Sequence, residues 1–411
     1  AEEDGTWVYY NRDGERATDQ WKKSGNNWYW LNSDGEMAID ELIQDGDNYY
    51  YVDINGVMAA NQWVAIDNED AGQDDEPDHY WYYFQANGKA LKNGDNARVA
   101  LKTVNGKKYA FDDEGRMLFG WVDADNAERI DNTDGDGFKE GDYYFGGEDD
   151  GAMTVGWLQM DITYDEATSD YEVSPVFNDD EDQTRWFYFK SNGKKVKAEN
   201  GDTQKSKTIN GKKYEFDQYG AMTAEWSLDV DTASTSGIRG DYSTATHSVS
   251  AKYAQQWRYF QDVENGARVS KGWFKVVSAE YLNYDKYNDD EDAWYYADGS
   301  GNLYAGQFKT IKGKKYAFRN DGRMIDGLKF IQQDAQNNIT DVRADDDDNH
   351  PFDTDDDFNK NSIYWSDLGY RCFYFGGGDD GAMRTNKTNI DIDGDRFNFY
   401  FEKSGAHKGA G

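Results

Sequence analysis

The chain of 411 residues has few of the residues on which disulfide-rich, metal-binding and membrane proteins depend. Cys372 is the single cysteine, so neither a disulfide framework nor a cysteine metal cluster can form. No run approaches the roughly 18 apolar residues of a membrane span. None of the four histidines has a metal-type partner at close spacing; they are His79, His247, His350 and His407. The sequence thus offers no disulfide framework, membrane span or His/Cys metal site.

Signatures of common enzymes are also missing. The sequence contains no GxSxG, HExxH, phosphate-loop or dinucleotide-binding motif. Asp and Glu total 80, so a carboxylate pair spaced for glycoside hydrolysis could be chosen anywhere and indicates nothing. We predict that the protein is not an enzyme.

Acidic residues outnumber basic ones by 80 to 44, which gives a formal net charge of −36. So negative a field repels nucleic acid and anionic lipids, and we expect neither a nucleic-acid partner nor membrane insertion. Such a composition would suit a disordered chain, yet aromatic residues reach 16%. Because each large ring offers roughly 150–250 Å² for burial, we predict a folded protein whose apolar surface comes from rings.

Internal repeats are the main signal. The segments NGKKYAF, NGKKYEF and KGKKYAF begin at Asn105, Asn210 and Lys312, and each is followed by Gly and Met at fixed offsets. A longer motif occurs twice, as YYFGGEDDGAM from Tyr143 and FYFGGGDDGAM from Phe373. Other units begin with adjacent aromatic residues, and about thirteen units can be counted.

The pattern within one unit predicts a strand, a turn and a return strand. In KKYAFDDEGRMLFGW, Tyr109 and Phe111 share one face of a strand. The acidic residues 112–115 supply the turn, and the alternating residues from Met117 to Trp121 form the return strand. Lone hairpins are marginal in water, whereas stacked ones bury each other's rings. We predict an all-β fold, an elongated, solenoid-like array of β-hairpin repeats with acidic insertions.

The spacing predicts a higher order of repetition. Regular hairpin repeats occupy residues 1–65, and enlarged repeat cassettes follow over 66–185, 186–293 and 294–411, the last ending in a C-terminal hairpin. Acidic insertions separate the hairpins in the cassettes, and their sequences leave open whether they are loops, added strands or tethers. They are Ile66–Asp78, Asp123–Asp142, Asp161–Thr184, Ser227–Gln255, Val276–Asp292 and Phe330–Asp367.

The recurring order of Gly-Trp, an aromatic cluster and Gly-x-Met resembles the cell-wall-binding repeats of Gram-positive bacteria. That superfamily includes choline-binding modules, glucan-binding repeats of glucansucrases and receptor-binding repeats of clostridial toxins. The residues that carry the resemblance include Gly120–Trp121, Tyr143–Phe145 with Met153, Gly156–Trp157, Gly272–Trp273 and Trp294–Tyr296. The resemblance covers nearly the whole chain apart from the insertions.

The resemblance implies a β-solenoid that holds ligands between consecutive repeats with aromatic side chains. Two candidate sets are Trp21 with Trp28 and Tyr49, and Trp273 with Trp294 and Tyr316. Further candidate ligand-binding rings lie at corresponding places: Trp63, Trp81, Trp121, Tyr143, Trp157 and Trp186.

Exposed rings suit the C–H face of a sugar or a quaternary ammonium group. Long insertions follow Trp121, Trp157 and Trp226, which leaves few complete choline cages. We therefore predict non-catalytic binding of polysaccharide, a cell-wall glycan or an α-glucan, which attaches the protein to a surface. Many weak sites would reinforce one another. An extracellular location on a bacterial cell surface is expected.

Two other functions remain open from the sequence. The chain could be a surface adhesin or spacer that binds a host or partner protein through its acidic insertions, or it could attach to cell walls through choline. Calcium is a subsidiary hypothesis, and no other cofactor is expected. Asn132, Asp134 and Asp136 alternate before Gly137, like the start of an EF-hand loop, but Tyr143 stands where that loop needs Glu.

Overall fold

A computed structural model describes residues 1–135, 137–162, 183–202, 204–228 and 249–411 of the chain. Within these residues, 27 strands form 13 antiparallel sheets, of which 12 are two-stranded and one is three-stranded. The protein is therefore mostly β and built from hairpins, as the alternation of its aromatic residues predicts. No helix in the described part of the chain is long and apolar enough to span a membrane.

The described residues divide into two compact units, one up to Lys197 and the other from Ala198 onward. The finer division into segments at residues 65, 185 and 293 concerns repeat spacing and stays a prediction.

The first unit contains strands β1 to β14 and one short helix. Its strands are β1 Glu2–Glu3, β2 Thr6–Trp7, β3 Gln20–Ser24, β4 Asn27–Leu31, β5 Glu41–Asp45, β6 Asn48–Val52, β7 Gln62–Asp67, β8 His79–Phe84, β9 Lys102–Val104, β10 Lys107–Tyr109, β11 Trp121–Val122, β12 Tyr143–Tyr144, β13 Gly156–Ile162 and β14 Gln183–Phe189. Helix α1 covers Gly137–Glu140. Each strand pairs with its neighbour in sequence, so the unit is a row of hairpins β1–β2 through β13–β14.

The second unit contains strands β15 to β27 and three described helices. The strands are β15 Lys205–Ile209, β16 Lys212–Phe216, β17 Glu225–Leu228, β18 Trp257–Phe260, β19 Gly272–Val277, β20 Asp292–Ala297, β21 Phe308–Ile311, β22 Lys314–Ala317, β23 Leu328–Gln333, β24 Ile339–Arg343, β25 Arg371–Tyr374, β26 Asn386–Ile392 and β27 Asp395–Phe401. The helices are α2 Ala251–Ala254, α3 Tyr284–Asn288 and α4 Asp355–Asp367. Among the described strands, β23 alone pairs with two others, β24 and β25.

The hairpins are offset from the predicted ones. Strand β9 pairs with β10 across Asn105–Gly106, and both turn residues have positive φ, 49° and 80°. This is the signature of a type I′ turn, whose twist matches that of the flanking strands. The acidic loop 112–115 does turn the chain, with Phe111 bridged antiparallel to Met117, but this pairing is short. The loop thereby connects hairpin β9–β10 to the next hairpin, which begins at Trp121.

The acidic insertions lie within hairpins instead of between them. The insertion Ile66–Asp78 falls between β7 and β8, which pair in register from Gln62 opposite Phe84 to Asp67 opposite His79. The insertions Asp123–Asp142, Val276–Asp292 and Phe330–Asp367 likewise fall between paired strands, β11 and β12, β19 and β20, and β23 and β25. Most of the insertions Asp161–Thr184 and Ser227–Gln255 lies outside the described residues. The described insertions therefore lie between the two strands of a hairpin.

In the loops that connect one hairpin to the next, an Asp or Asn side chain at the start of the loop stabilises the turn by hydrogen bonds. Asp53 Oδ1 accepts hydrogen bonds from the backbone N–H groups of Asn55 and Val57, both at 2.9 Å. Such a side chain mimics a backbone turn, which explains the frequent Asp or Asn after the aromatic cluster. The same pattern occurs at Asn32, Asp112, Asp217, Asp298 and Asp334.

The Gly and Met of the repeat join consecutive hairpins. Met117 N donates to Trp81 O of the preceding hairpin at 2.7 Å, and Met324 N donates to Trp294 O at 2.8 Å. Each Met also packs on the Gly of the next connecting loop. A Cβ on Gly151 would lie 2.6 Å from Met117 Sδ, which no real contact allows. The fixed Gly and Met offsets are therefore the stacking contact of the array.

The insertion 330–367 contains both an added strand, β24, and helix α4, which the sequence analysis did not predict. Thr354 caps the helix by accepting a hydrogen bond from Asp357 N at 3.1 Å. The acidic run 355–357 forms the first turn, where carboxylates are favourable beside the positive end of the helix dipole. Trp365, 3% exposed, anchors the helix in a core cluster with Phe330.

Candidate ligand-binding sites

A tryptophan near the start of a hairpin packs edge to face on an aromatic residue directly opposite it on the return strand. This geometry favours the ring quadrupoles and is a common source of sheet stability. Six such pairs have ring centroids 5.1 to 5.3 Å apart: Trp21–Trp30, Trp63–Tyr83, Trp121–Tyr144, Trp157–Tyr188, Trp226–Tyr259 and Trp273–Tyr296.

The same tryptophan also meets rings of the next hairpin. Trp273 lies 4.8 Å from Tyr316 and Trp63 lies 4.9 Å from Tyr109, measured between ring centroids. Aromatic contacts therefore join consecutive hairpins, and that they hold a ligand stays a prediction.

The Trp273 site consists of Trp273, Trp294 and Tyr316, the second predicted set. Its two indoles are 6.3 Å apart and nearly perpendicular. Asp379, from the loop after β25, reaches the edge of this site. Its Oδ1 accepts a hydrogen bond from Trp294 Nε1 and another from Lys275 Nζ, both at 2.9 Å.

An equivalent arrangement occurs in the first unit. Trp63 meets Tyr109, and Trp81 lies two residues before Tyr83, the residue opposite Trp63. We call Trp63, Trp81 and Tyr109 the Trp63 site, and its carboxylate is Asp149. Asp149 Oδ1 accepts from Trp81 Nε1 at 3.0 Å and contacts His79 Nε2 at 2.6 Å. Asp149 and Asp379 hold the same place in the two copies of the YFGG-x-DDGAM motif.

Both carboxylates are held in their charged form. The hydrogen bond from Lys275, followed by that from Trp294, lowers the pKa of Asp379. The hydrogen bond from Trp81, followed by that from His79, lowers the pKa of Asp149. Hydrogen bonds to a carboxylate favour its ionised state, and both side chains remain largely exposed.

In the first predicted set, Trp21 with Trp28 and Tyr49, the structure has Tyr50 in place of Tyr49. Trp21 contacts Tyr50, at 5.1 Å between ring centroids, and not Tyr49. Because side chains alternate along β6, Tyr49 points to the other face and packs against the cluster of Tyr82 and Phe84. Trp28 is 40% exposed.

Trp121 and Tyr143 lie in the core, so the structure places these two predicted residues away from a ligand-accessible surface. Trp121 is 3% exposed and Tyr143 6%. The ammonium of Lys195, itself 5% exposed, lies 5.1 Å from the Trp121 ring centroid and donates to the backbone oxygen of Phe138. An internal cation thus fills the position beside this ring.

Trp157 and Trp186 form one partly buried edge-to-face pair, 6.2 Å between centroids. Of the calcium candidates, Asn132 accepts a hydrogen bond on Oδ1 from Gly137 N, at the start of helix α1, at 2.8 Å, and Asp136 lies outside the described residues. No three His, Cys, Asp or Glu side chains of the described chain are arranged to hold a metal ion. Calcium binding at Asn132, Asp134 and Asp136 stays a hypothesis.

The polar side chains of these candidate sites are not predicted by the sequence pattern. Asp149 and Asp379 belong to the longest repeated motif, which by itself indicates no role for them. His79 has no metal-type partner at close spacing, and the carboxylate that it contacts is 70 residues away. The sequence pattern indicates no role for Lys275, which lies two residues after Trp273.

Parts of the chain are similar in sequence to known proteins. The family model of the choline-binding repeat matches residues 17–63, which include β3 to β6. Glucosyltransferase-S of Streptococcus mutans is 24% identical over 283 residues, covering 61% of this chain but only 16% of that enzyme's length.

Two solved structures from Streptococcus pneumoniae were also compared. Choline binding protein F is 16% identical over 81% of this chain and 95% of its own, with a TM-score of 0.41. The modular autolysin LytC is 19% identical over 80% of this chain and 53% of its own, with a TM-score of 0.37. Residues 17–63 thus match the choline-binding repeat, and the same order of aromatic hairpins, Gly and Met continues along the described chain beyond them.

Proposed function

We propose that the chain binds polysaccharide, a cell-wall glycan or an α-glucan, through aromatic sites between its hairpins and without catalysis. The observation that carries the proposal is the pair of partly exposed ring sites at Trp63 and Trp273, each bordered by hydrogen-bonding side chains. A pyranose has an apolar C–H face and a rim of hydroxyls. It therefore fits a ring surface flanked by a few placed polar groups.

The similarities support a glycan partner. The matched repeat model belongs to a cell-wall-binding superfamily, and the similar region of Glucosyltransferase-S belongs to a protein named for glucosyl transfer. Repeats of this kind occur in enzymes as well, so we propose that this chain supplies binding and no reaction of its own. We place it outside the cell, on a Gram-positive surface.

Several binding sites on one chain would raise the overall affinity of the array for a polymer. Several weak sites on one chain act at high effective concentration once the first is bound, so modest single-site affinity still attaches the protein to a polymer. The solenoid-like stacking predicted from the sequence is part of this proposal. Within each unit it is supported by the packing of Met on Gly between consecutive loops.

Sedimentation with insoluble starch, cross-linked dextran and purified Gram-positive cell walls tests the proposal. We expect the wild-type chain to bind at least one, and the double variant W81A/W294A to lose most of that binding. Tyr400→Ala is the matched control, because Tyr400 is an exposed ring, 51% accessible, away from both sites. Absence of wild-type binding to all three materials would show the proposal to be wrong.

Choline-dependent attachment is a second candidate, favoured by the repeat model over residues 17–63. Cation–π attraction in a ring site contributes about 0.5–2 kcal/mol. Elution of wall-bound protein by free choline, with no effect of soluble dextran, would favour choline. The reverse result would favour the glycan.

A further inference from the structure

Asp149 and Asp379 reach the aromatic sites in the same way. Each carboxylate lies in the loop of a YFGG-x-DDGAM motif and accepts the indole N–H of a tryptophan two hairpins earlier. The intervening hairpin supplies the third ring, Tyr109 in one site and Tyr316 in the other. Two independent copies of one arrangement indicate a built site.

The charges at the Trp273 site distinguish between ligand classes. Asp379 already has a cationic partner, because Lys275 Nζ donates to its Oδ1. The pair is neutral overall, and an incoming ammonium group would have to compete with Lys275 for the same carboxylate. A neutral ligand with hydroxyl groups meets no such competition. The Asp379 carboxylate can accept a hydrogen bond from such a ligand, and the neighbouring Lys275 ammonium can donate one, both at the edge of Trp294.

The carboxylates keep bonding capacity for a ligand. In both sites the hydrogen bonds present in the described residues end on Oδ1. The Asp149 side chain is 64% exposed and the Asp379 side chain 69%. Each Oδ2 is therefore able to accept a sugar hydroxyl in a charge-assisted hydrogen bond while Oδ1 stays bound to the indole.

We infer that Asp149 and Asp379 are specificity residues that bind a sugar hydroxyl at the Trp63 and Trp273 sites, and that the Asp379–Lys275 pair makes the Trp273 site select a neutral pyranose over a quaternary ammonium group. One sugar ring stacks on Trp81 or Trp294, one hydroxyl donates to the carboxylate, and the neighbouring His79 or Lys275 serves an adjacent oxygen. This inference rests on the proposed function and names the ligand class of two of its sites.

Site-resolved binding is measured from the indole N–H resonances of Trp81 and Trp294 during titration of the full chain with soluble dextran oligosaccharide. We expect Asp379→Asn to weaken dextran binding roughly tenfold at Trp294 and to leave Trp81 unchanged. Asp149→Asn should do the reverse, so each site is the control for the other. Glu148→Gln removes the same charge from the Asp149 loop and should change neither.

Lys275→Met separates the two ligand classes. For a pyranose, loss of the ammonium donor weakens dextran binding at Trp294. Choline binding there should strengthen in this variant, because Lys275 no longer competes for the Asp379 carboxylate. The inference is overturned if choline displaces dextran at Trp294 of the wild-type chain, or if Lys275→Met leaves dextran binding there unchanged.

Failure of the inference can be told apart from failure of the proposed function. If the wild-type chain sediments with polysaccharide but the Trp81 and Trp294 resonances do not shift, the two sites are misassigned and the function stands. If the wild-type chain binds no glycan, both are overturned. Because both carboxylates are exposed, the Asn variants should fold, which circular dichroism will check.

Discussion

Trp294 donates its indole N–H to Asp379 at 2.9 Å, across 85 residues of chain. Trp81 makes the corresponding bond to Asp149 across 68 residues. Each of these sites therefore needs three consecutive hairpins: one for the two indoles, one for the third ring and one whose following loop brings the carboxylate. A truncation that removes the third hairpin would leave the rings in place and remove the polar edge.

The first prediction concerns the ionisation of Asp379. Its pKa is lowered, chiefly by the hydrogen bond from Lys275, so the carboxylate should stay charged at pH values below the ordinary Asp midpoint of about 3.9. The Trp294 indole proton reports this ionisation, and its resonance should titrate with a midpoint below 3.9. In Lys275→Met the midpoint should rise. A wild-type midpoint at or above the ordinary value would contradict the geometry.

The hairpin offset shows what sequence patterns determined and what they did not. Alternating rings such as Tyr109 and Phe111 indicate strands that pair in hairpins. The alternation does not tell whether a strand pairs with the preceding strand or with the following one. The dipeptide Asn105–Gly106 resolves this choice, since it favours a two-residue turn with positive φ. Given that turn, the described insertions fall between the two strands of a hairpin.

Ring sites were partly predictable and their polar partners were not. The regular repeat spacing predicts the rings around Trp273. Around Trp21 it predicts Tyr49, whereas the structure has Tyr50 in contact with Trp21. A shift of one residue places a side chain on the opposite face of a strand. Contacts such as Trp294 with Asp379 depend on how three hairpins stack, which no local pattern contains. Similarly, Lys195 filling the position beside Trp121 follows from packing alone.

The second prediction concerns that internal cation. Lys195→Met keeps the length of the side chain but removes the donor to Phe138 O and the cation–π contact with Trp121. Loss of a buried hydrogen-bond partner should lower the free energy of unfolding of the first unit by about 1–3 kcal/mol. Urea unfolding followed by tryptophan fluorescence measures this. Lys190→Met, at an exposed position of the same loop, should change it little.

The third prediction concerns Asp321, which is 7% exposed and bonded to Arg323 Nε and Asn283 Nδ2, both at 2.7 Å. Burial alone would raise its pKa, but the charge of Arg323 and these hydrogen bonds outweigh burial and lower it. Asp321→Asn should therefore cost about 3 kcal/mol at pH 7, because it leaves Arg323 without its buried partner.

The cost of Asp321→Asn should depend on pH. For a carboxyl whose folded pKa is lowered, the stabilisation is present above the unfolded value, about 3.9, and disappears as pH falls through the folded value. Urea midpoints of the two proteins should therefore converge below pH 4. Asp353→Asn, at an exposed position of the same unit, should show no such convergence. A difference that stayed constant from pH 7 to pH 3 would count against the ion pair.

The last prediction tests the stacking contact between repeats. A Cβ on Gly151 would lie 2.6 Å from Met117 Sδ and 3.0 Å from the backbone oxygen of Leu118. The Met side chain can move but the carbonyl cannot, so Gly151→Ala should destabilise the first unit by about 1–3 kcal/mol. Gly147 lies four residues earlier, with nothing within 4 Å of its added Cβ, and Gly147→Ala should have little effect. Thermal unfolding of both variants measures the difference.

Combining Met117→Ala with Gly151→Ala separates the side-chain clash from the backbone clash. If this double variant recovered all of the lost stability, the clash would lie with the Met117 side chain alone, and the close contact with the Leu118 backbone oxygen would not contribute to the loss.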